Sequence, residues 1–174
     1  MHLVLTHDFE TVKNVYLDVI ENSPNLYLYA CWEYGKHPND ELLRGYIGRD
    51  EMYLLTDGET IAGVTAVAMS QGRDYESISW HEDLRNDEAA TLHLLAVCPA
   101  YRHRHLGFRI LEEAMAITVK NGKKALRLDT LKTNLPAQNM YEQAGFSLRG
   151  GQTLQVGRTR FLDFVYYEKL PGQA

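Results

Sequence analysis

The chain has 174 residues, of which 45% are hydrophobic and 24% are charged, enough material for one domain with a substantial core. Eighteen lysines and arginines against 23 aspartates and glutamates give a formal net charge of −5. This balance argues against a broad nucleic-acid-binding surface and favours a cationic small molecule or a peptide amine as partner. Because no stretch has the apolar length of a signal peptide or a membrane span, we expect a single cytoplasmic domain, residues 1–174, without a membrane partner.

The first quarter of the chain predicts one short strand followed by two helices. Residues 3–6 are β-prone, and residues 9–24 place their apolar side chains at helical spacing, with Asp8 as the N-terminal cap. Residues 26–38 are aromatic and lack a clear period, so we interpret them as a loop or an irregular helix. Residues 39–48 predict a second, short helix.

The next stretch predicts a hairpin and then a long polar connection. Two β-prone runs within residues 51–70 flank Asp57 and Gly58, a pair that favours a tight turn. The polar residues 71–88 follow them. We interpret this connection as a surface excursion, and it is long enough to be functional.

The second half of the chain alternates strands and helices. Residues 90–97 predict a buried strand, residues 106–122 an amphipathic helix and residues 124–131 another strand. Residues 136–146 predict a short helix, and residues 147–170 a terminal pair of strands. The chain therefore predicts an α/β fold with a mixed sheet and the order β-α-α-β-β-β-α-β-α-β-β.

Four basic or potentially basic side chains stand in a row just before the helix of residues 106–122. They are Arg102, His103, Arg104 and His105. Free backbone N–H groups and the positive end of the helix dipole meet there, which favours an anion site. Phosphate loops are usually rich in glycine, whereas this one has only Gly107, so an ordinary helix start is an equal alternative. We expect a negative φ at His105, in the first turn of the helix.

The histidines and cysteines do not predict a metal site. His103 and His105 are two residues apart, without a matching set of further ligands nearby. Cys31 and Cys98 lack the paired spacing of a zinc site and are too few for a disulfide framework, so we expect reduced thiols. The basic run also lacks the wider basic face that nucleic-acid binding needs. We expect neither a metal nor a nucleic-acid partner.

Two motifs resemble those of the GNAT family of N-acetyltransferases. The first is a strand, a loop and a helix within residues 95–115, and the second is an asparagine, a tyrosine seven residues later and a Gly-Phe pair. The matched residues are Val97, Pro99, Tyr101, Arg102 and Gly107 in the first motif, and Asn134, Tyr141, Gly145 and Phe146 in the second. His105 stands where the family has its first glycine. The resemblance covers nearly the whole chain and implies a single-domain GNAT fold, in which the fourth and fifth strands splay apart.

The resemblance implies a site for acetyl-CoA as co-substrate. The pantetheine arm would pair with the backbone of the fourth strand where that strand splays away, and loop amides would hold the pyrophosphate. The implied contacts are Leu95, Ala96 and Val97 for the arm, Arg102, His103, Arg104, His105, Leu106, Gly107 and Phe108 for the pyrophosphate, and Asn134 from the loop after residues 124–131.

The resemblance also implies that a primary amine attacks the thioester directly in a ternary complex. Tyr141 would be the general acid that protonates the leaving thiolate, with a core tyrosine as the alternative. The amine must first lose a proton to Asp129, to His93 or to a water chain. For Asp129 the alternative is a structural hydrogen-bond acceptor, and for His93 a packed sheet histidine. Strand alternation predicts His93 on the same side as Leu95 and Val97, unless a bulge interrupts the count.

The expected activity is transfer of an acetyl group from acetyl-CoA to a small-molecule or peptide amine. One alternative is a non-catalytic acyl-CoA-binding module, because the Cβ of His105 would narrow the phosphate cradle. Another is an acyltransferase that uses a longer acyl donor. A monomer and a homodimer paired through residues 158–169 are both open.

Overall fold

The computed structural model describes residues 1–172, which form one sheet with helices packed against it. The strands are β1 (His2–Leu5), β2 (Met52–Asp57), β3 (Thr60–Ala68), β4 (Ala89–Val97), β5 (Ala125–Leu131), β6 (Ser147–Val156) and β7 (Arg160–Lys169). The helices are α1 (Phe9–Glu21), α2 (Leu26–Ala30), α3 (Asp40–Gly48), α4 (Leu106–Lys120) and α5 (Leu135–Gln143). Short 3-10 turns occupy Arg73–Tyr75 and Pro99–Tyr101.

The seven strands lie in the order β1-β2-β3-β4-β5-β7-β6 across the sheet. Neighbouring strands are antiparallel, except for the parallel pair β4 and β5. The predicted mixed α/β fold is confirmed, and the predicted element order holds with one short helix, α2, added between the two predicted helices. The short helix α2 lies within residues 26–38, for which the sequence left two alternatives, a loop or an irregular helix. The sequence did not decide between them because these residues lack a helical period.

Helix α1 begins where the sequence predicts it. The carboxylate of Asp8 accepts a hydrogen bond from the backbone N–H of Thr11 at 3.1 Å, which satisfies one of the free donors of the first turn. The apolar residues of its buried stripe, among them Val12 and Tyr16, face the sheet and are fully buried. Capping and amphipathic spacing therefore fix this helix locally.

Two core clusters fill the two faces of the sheet. One packs α1 and α3 against the sheet and includes Leu54 and Leu94. The other packs α4 and α5 against the opposite face and includes Leu55 and Leu128. Leu54 and Leu55 are neighbours on β2 yet belong to different clusters, as the two-residue period of a strand requires.

The parallel pair β4 and β5 opens partway along its length. Pairing runs from Ala89 opposite Ala125 to Leu92 opposite Leu128 and then stops. Beyond that point β4 continues beside β3, and β5 continues beside β7. We call this opening the fork, and it is the splay of the fourth and fifth strands that the family resemblance implies.

The connection between β3 and β4, residues 71–88, is called the strap. Apart from the turn at Arg73–Tyr75, it has no regular structure. Tyr75 and Ile78 are buried against Tyr166 of β7, so the predicted surface excursion is fastened to the sheet. None of the helices within residues 1–172 combines the length and apolar character needed to cross a membrane.

Candidate active site at the fork

His93 and Asp129 are the first residues beyond the last pair of the parallel ladder, Leu92 and Leu128. Their strands are still close at this point, and His93 Nδ1 lies 3.7 Å from Asp129 Oδ1. The sequence offers these two residues as alternative bases. The structure brings them together in one pair at the base of the fork.

A bulge in β4 shapes the edge of the fork. Leu94 has φ 57°, and the register between β3 and β4 shifts opposite it. Buried Tyr16 of α1 donates a hydrogen bond from its hydroxyl to the Leu94 carbonyl at 2.8 Å, and Thr65 donates to the His93 carbonyl at 3.0 Å. These two bonds fix the backbone just before residues 95–97, the implied contacts of the pantetheine arm.

The bulge also overturns the expected orientation of His93. Leu95 and Val97 pack in the cluster of α4 and α5, whereas the His93 ring lies 5.9 Å from the ring of Tyr46 on α3. The prediction that His93 shares a side with Leu95 and Val97 is therefore wrong. The inserted residue Leu94 interrupts the alternation on which that prediction depended.

The loop before α4 has a backbone that the sequence did not predict. His105 precedes the helix with φ 56°, and His103 has φ 61°, so both are left-handed. The expected negative φ at His105 is wrong. The histidine keeps a conformation that glycine adopts freely, at a cost of about 1–2 kcal/mol for a residue with a Cβ. Side-chain type does not reveal this, because the path from the preceding turn into α4 sets the dihedral.

The loop presents free backbone donors at the start of α4. Within the part of the chain that the structure describes, the N–H groups of residues 103–107 donate no hydrogen bond, and the first one engaged is that of Phe108, to the His105 carbonyl at 3.1 Å. Gly107 is buried, and a Cβ there would collide with Sδ of Met140 on α5. Free donors at the positive end of a 15-residue helix suit a pyrophosphate.

The side chains of the basic run differ in what they contact. Arg102 donates to the Asn22 carbonyl at 2.8 Å and to the Ser23 hydroxyl, which ties the loop to the end of α1. Arg104 lies over the ring of Tyr101, at 5.2 Å from its centroid. A cofactor contact of the Arg102 guanidinium stays a prediction.

Asn134 has a structural role in addition to its predicted cofactor contact. Its Oδ1 accepts a hydrogen bond from the Ala137 N–H at 3.4 Å and thereby caps α5. Its Nδ2 donates to the hydroxyl of Thr130 on β5 at 3.0 Å. The contact with acetyl-CoA stays a prediction.

Tyr141 is buried on α5 among aromatic side chains. Its ring lies 6.2 Å from Phe146 and 5.7 Å from Tyr167, and its hydroxyl makes no hydrogen bond within residues 1–172. Burial, together with the negative charge of Asp129, raises the pKa of Tyr141 above its usual value. The side chain is therefore protonated at neutral pH, the form that a general acid requires.

The strap supplies a residue that the sequence did not single out. The Tyr75 hydroxyl donates to Oδ1 of Asp129 at 2.5 Å, and the edge of its ring meets His93 at 6.2 Å. Asp74 is beside it, and burial, with the Asp129 charge, raises the pKa of Asp74. The only sequence signal for a functional role here was the length of the polar connection, and that signal did not single out Tyr75.

Tyr46 closes the site from the side of α3. Burial is the main cause that raises its pKa to about 12. Aromatic and carboxylate groups thus surround His93 and Asp129. No group of three or more His, Cys, Asp or Glu side chains in the described chain is arranged to hold a metal ion.

A sequence model of the Acetyltransferase (GNAT) family matches residues 14–146. This range contains the fork, the loop before α4 and Tyr141, and it spans well over half of the chain. The chain belongs to the GNAT acetyltransferase family and is an acyltransferase. A comparison with curated protein sequences finds no match.

Solved structures of this family share the fold. A GNAT acetyltransferase from Streptococcus agalactiae is 16% identical with a TM-score of 0.76, and the alignment covers 99% of this chain and 95% of that one. The acetyltransferase yncA of Salmonella typhimurium, solved with acetyl-CoA, is 12% identical over 100% and 95% with a TM-score of 0.67. A Salmonella typhimurium enzyme that modifies the N-terminal serine of a ribosomal subunit protein is 15% identical over 97% and 93%, with a TM-score of 0.70.

Proposed function

We propose that the protein transfers an acetyl group from acetyl-CoA to a primary amine, by direct attack of the amine within a ternary complex. The observation that carries this proposal is the fork itself. His93 and Asp129, the two candidates for the general base, lie together at the closed end of the fork. The free amides of residues 103–107 follow β4 along the chain. A thioester donor and an amine acceptor can therefore meet at one place.

The residues present fit acetyl-CoA as a co-substrate, which supplies the activated acetyl group. The edge of β4 at residues 95–97, unpaired with β5, can accept a pantetheine arm as an added strand. The amides of residues 103–107 can hold the pyrophosphate without any rearrangement of protein hydrogen bonds. Asn134, at the start of α5, adds a polar contact on the neighbouring loop.

The protein's own groups account for both proton transfers. An amine that is protonated at neutral pH loses a proton to His93, which lies beside the Asp129 carboxylate. Tyr141 holds its proton on the hydroxyl oxygen, gives it to the departing thiolate sulfur, and regains a proton from the nitrogen that becomes the amide. A backbone N–H on the edge of β4 at residues 95–97, which is unpaired with β5, polarises the thioester carbonyl.

The acceptor is a small-molecule or a peptide amine. The net charge of −5 favours a cationic acceptor. One structural neighbour modifies the N-terminal serine of a ribosomal subunit protein, which makes a peptide amine a concrete case to test. The cytoplasmic location and the choice between monomer and homodimer stay predictions.

The test is release of the CoA thiol from acetyl-CoA in the presence of a panel of polyamines, aminoglycosides and peptides with free N-termini. We expect amine-dependent release with at least one class, and loss of that release in Asp129→Asn and His93→Gln. If the CoA thiol is released faster from a longer acyl-CoA than from acetyl-CoA, the protein transfers a bulkier acyl group than acetyl. Tight binding of CoA without release by any amine would contradict the proposed transfer.

A further inference from the structure

Tyr75 belongs to the strap and reaches from it to the proposed catalytic pair of His93 and Asp129. Only 1% of the residue is exposed. Its ring stacks on Trp80 at 5.7 Å and meets the ring of Tyr166 edge-on at 5.1 Å. Burial, and then the charge of Asp129, raises the pKa of Tyr75 well above its ordinary value, so its hydroxyl is a fixed donor.

The hydroxyl of Tyr75 and the imidazole of His93 share one acceptor. Tyr75 donates to Oδ1 of Asp129 at 2.5 Å, and His93 Nδ1 lies 3.7 Å from that same oxygen, beyond hydrogen-bond distance. On its other side, His93 Nε2 lies 3.1 Å from the Thr91 hydroxyl. The oxygen nearest to His93 is therefore already engaged by the tyrosine.

We propose that Tyr75 is a positioning residue for the acceptor site, because its hydroxyl fixes the orientation of the Asp129 carboxylate and so keeps Oδ1 at 3.7 Å from His93 Nδ1, beyond a direct hydrogen bond. This inference rests on the proposed function. Without the tyrosine hydroxyl, the Asp129 carboxylate can turn towards His93 and accept its Nδ1–H, a bond that stabilises the charged imidazolium. With it, His93 lacks that bond, and its imidazole is available to take a proton from an amine.

The strap that carries Tyr75 is fastened on both sides. Arg127 of β5, fully buried, donates to Oε1 of Gln71 at 2.6 Å and to the Glu82 carbonyl at 2.8 Å. Its guanidinium also pairs with Glu168 at 2.8 Å. At the opposite side, Gln152 donates to the Asp74 carbonyl at 2.5 Å. Tyr75 is thus held at a fixed place and does not depend on a bound acceptor to reach Asp129.

Several other groups act on the charge of His93. They are Asp129 on β5, Asp74 and Tyr75 on the strap, Tyr46 on α3, His37 before α3, and Thr91 on β4 itself. The two carboxylates favour the imidazolium, and His37 opposes it when protonated. Removal of the Tyr75 hydroxyl alters one of these interactions and leaves the others in place.

The experiment follows the ring nitrogens of ¹⁵N-labelled histidine by NMR as a function of pH, with the His93 signals assigned through His93→Gln. Tyr75→Phe keeps the ring that packs on Trp80 and Tyr166, and a thermal melt verifies the fold. We expect its His93 midpoint to rise by roughly half a unit to one unit. The matched control is Tyr53→Phe, whose hydroxyl contacts the Asp50 carbonyl at 3.5 Å, and it should leave the midpoint unchanged.

A double variant separates positioning from a general effect on the fold. In an Asp129→Asn background, Tyr75→Phe should no longer move the His93 midpoint. An unchanged midpoint in Tyr75→Phe alone, or an equal rise with and without Asp129, would overturn the inference. The titration needs no acceptor, so failure of every amine to release CoA would defeat the proposed function and still leave the role of Tyr75 testable.

With an active amine in hand, the acidic limb of the pH–rate profile supplies a second readout. The limb should move to higher pH in Tyr75→Phe by the same amount as the His93 midpoint. If the acidic limb of the pH–rate profile stays in place while the His93 midpoint moves, Tyr75 does not position the catalytic base.

Discussion

Replacement of His105 by glycine should stabilise the protein, although glycine usually destabilises. His105 has φ 56°, a conformation that costs a residue with a Cβ about 1–2 kcal/mol. Glycine adopts this conformation without strain, but the greater freedom that it gives the unfolded chain lowers the free energy of unfolding by about 0.5–1 kcal/mol. Relative to His105→Ala, which keeps the strain, His105→Gly should therefore gain about 0.5–1 kcal/mol. For a chain of this size, 1 kcal/mol corresponds to a rise in Tm of about 2–4 °C.

Arg104 provides the matched control one residue earlier. It is exposed in the same loop and is not among the residues with positive φ. Arg104→Gly should therefore be less stable than Arg104→Ala by about 0.5–1 kcal/mol. Urea denaturation of the four variants, compared at equal m-values, measures both differences. If glycine is less stable than alanine at both positions, residue 105 is not left-handed, and the account of the loop is wrong.

Three further predictions concern the core and the chemistry. Tyr141→Phe should lower amine-dependent CoA release by about 10²-fold or more while calorimetry gives nearly the same affinity for acetyl-CoA; equal turnover would remove Tyr141 as the general acid. Tyr16→Phe leaves the buried Leu94 carbonyl without its donor and should cost about 1–3 kcal/mol in urea unfolding, and an unchanged midpoint would show that the bulge does not need this bond. Arg127→Leu removes the nearer cation from the buried Glu168, which keeps only Arg149 at 4.0 Å, and should cost about 3–5 kcal/mol, whereas the double variant with Glu168→Leu should recover much of that loss; an equally unstable double variant would argue against the ion pair as the cause.

The predictable parts of this fold are those set by local sequence. Asp8 caps α1 as predicted, and α4 ends at Lys120, just before Gly122 with its φ of 69°. The turn that contains Gly58 joins β2 to β3. In each case a side chain or a glycine satisfies a need of its own neighbourhood, so the signal lies within a few residues.

The unpredicted parts depend on contacts between distant segments. Tyr75 and Asp129 are 54 residues apart in sequence, and nothing in the polar stretch shows that its one tyrosine will reach a carboxylate on another strand. His93 and Asp129 were recognised separately as candidate bases. Their pairing follows from the register of β4 and β5, which the sequence of either strand alone does not contain.

The bulge and the loop before α4 show a second kind of limit. Leu94 and His105 both adopt positive φ without being glycine. Sequence reasoning assigns such residues to ordinary backbone regions, because the left-handed region is costly for them. Tertiary contacts, such as the bond from Tyr16 to the Leu94 carbonyl, offset that cost.

The proposal that acetyl-CoA binds along the fork and at the loop before α4 can be tested by titrating ¹⁵N-labelled protein with acetyl-CoA and following the shifts of the backbone amide signals. We expect the largest changes at residues 95–97 and 103–107, the edge of the fork and the free donors before α4. Changes confined to another surface, such as the groove lined by Met115 and Phe146 between α4 and the end of α5, would contradict it. So would the absence of any change at saturating acetyl-CoA.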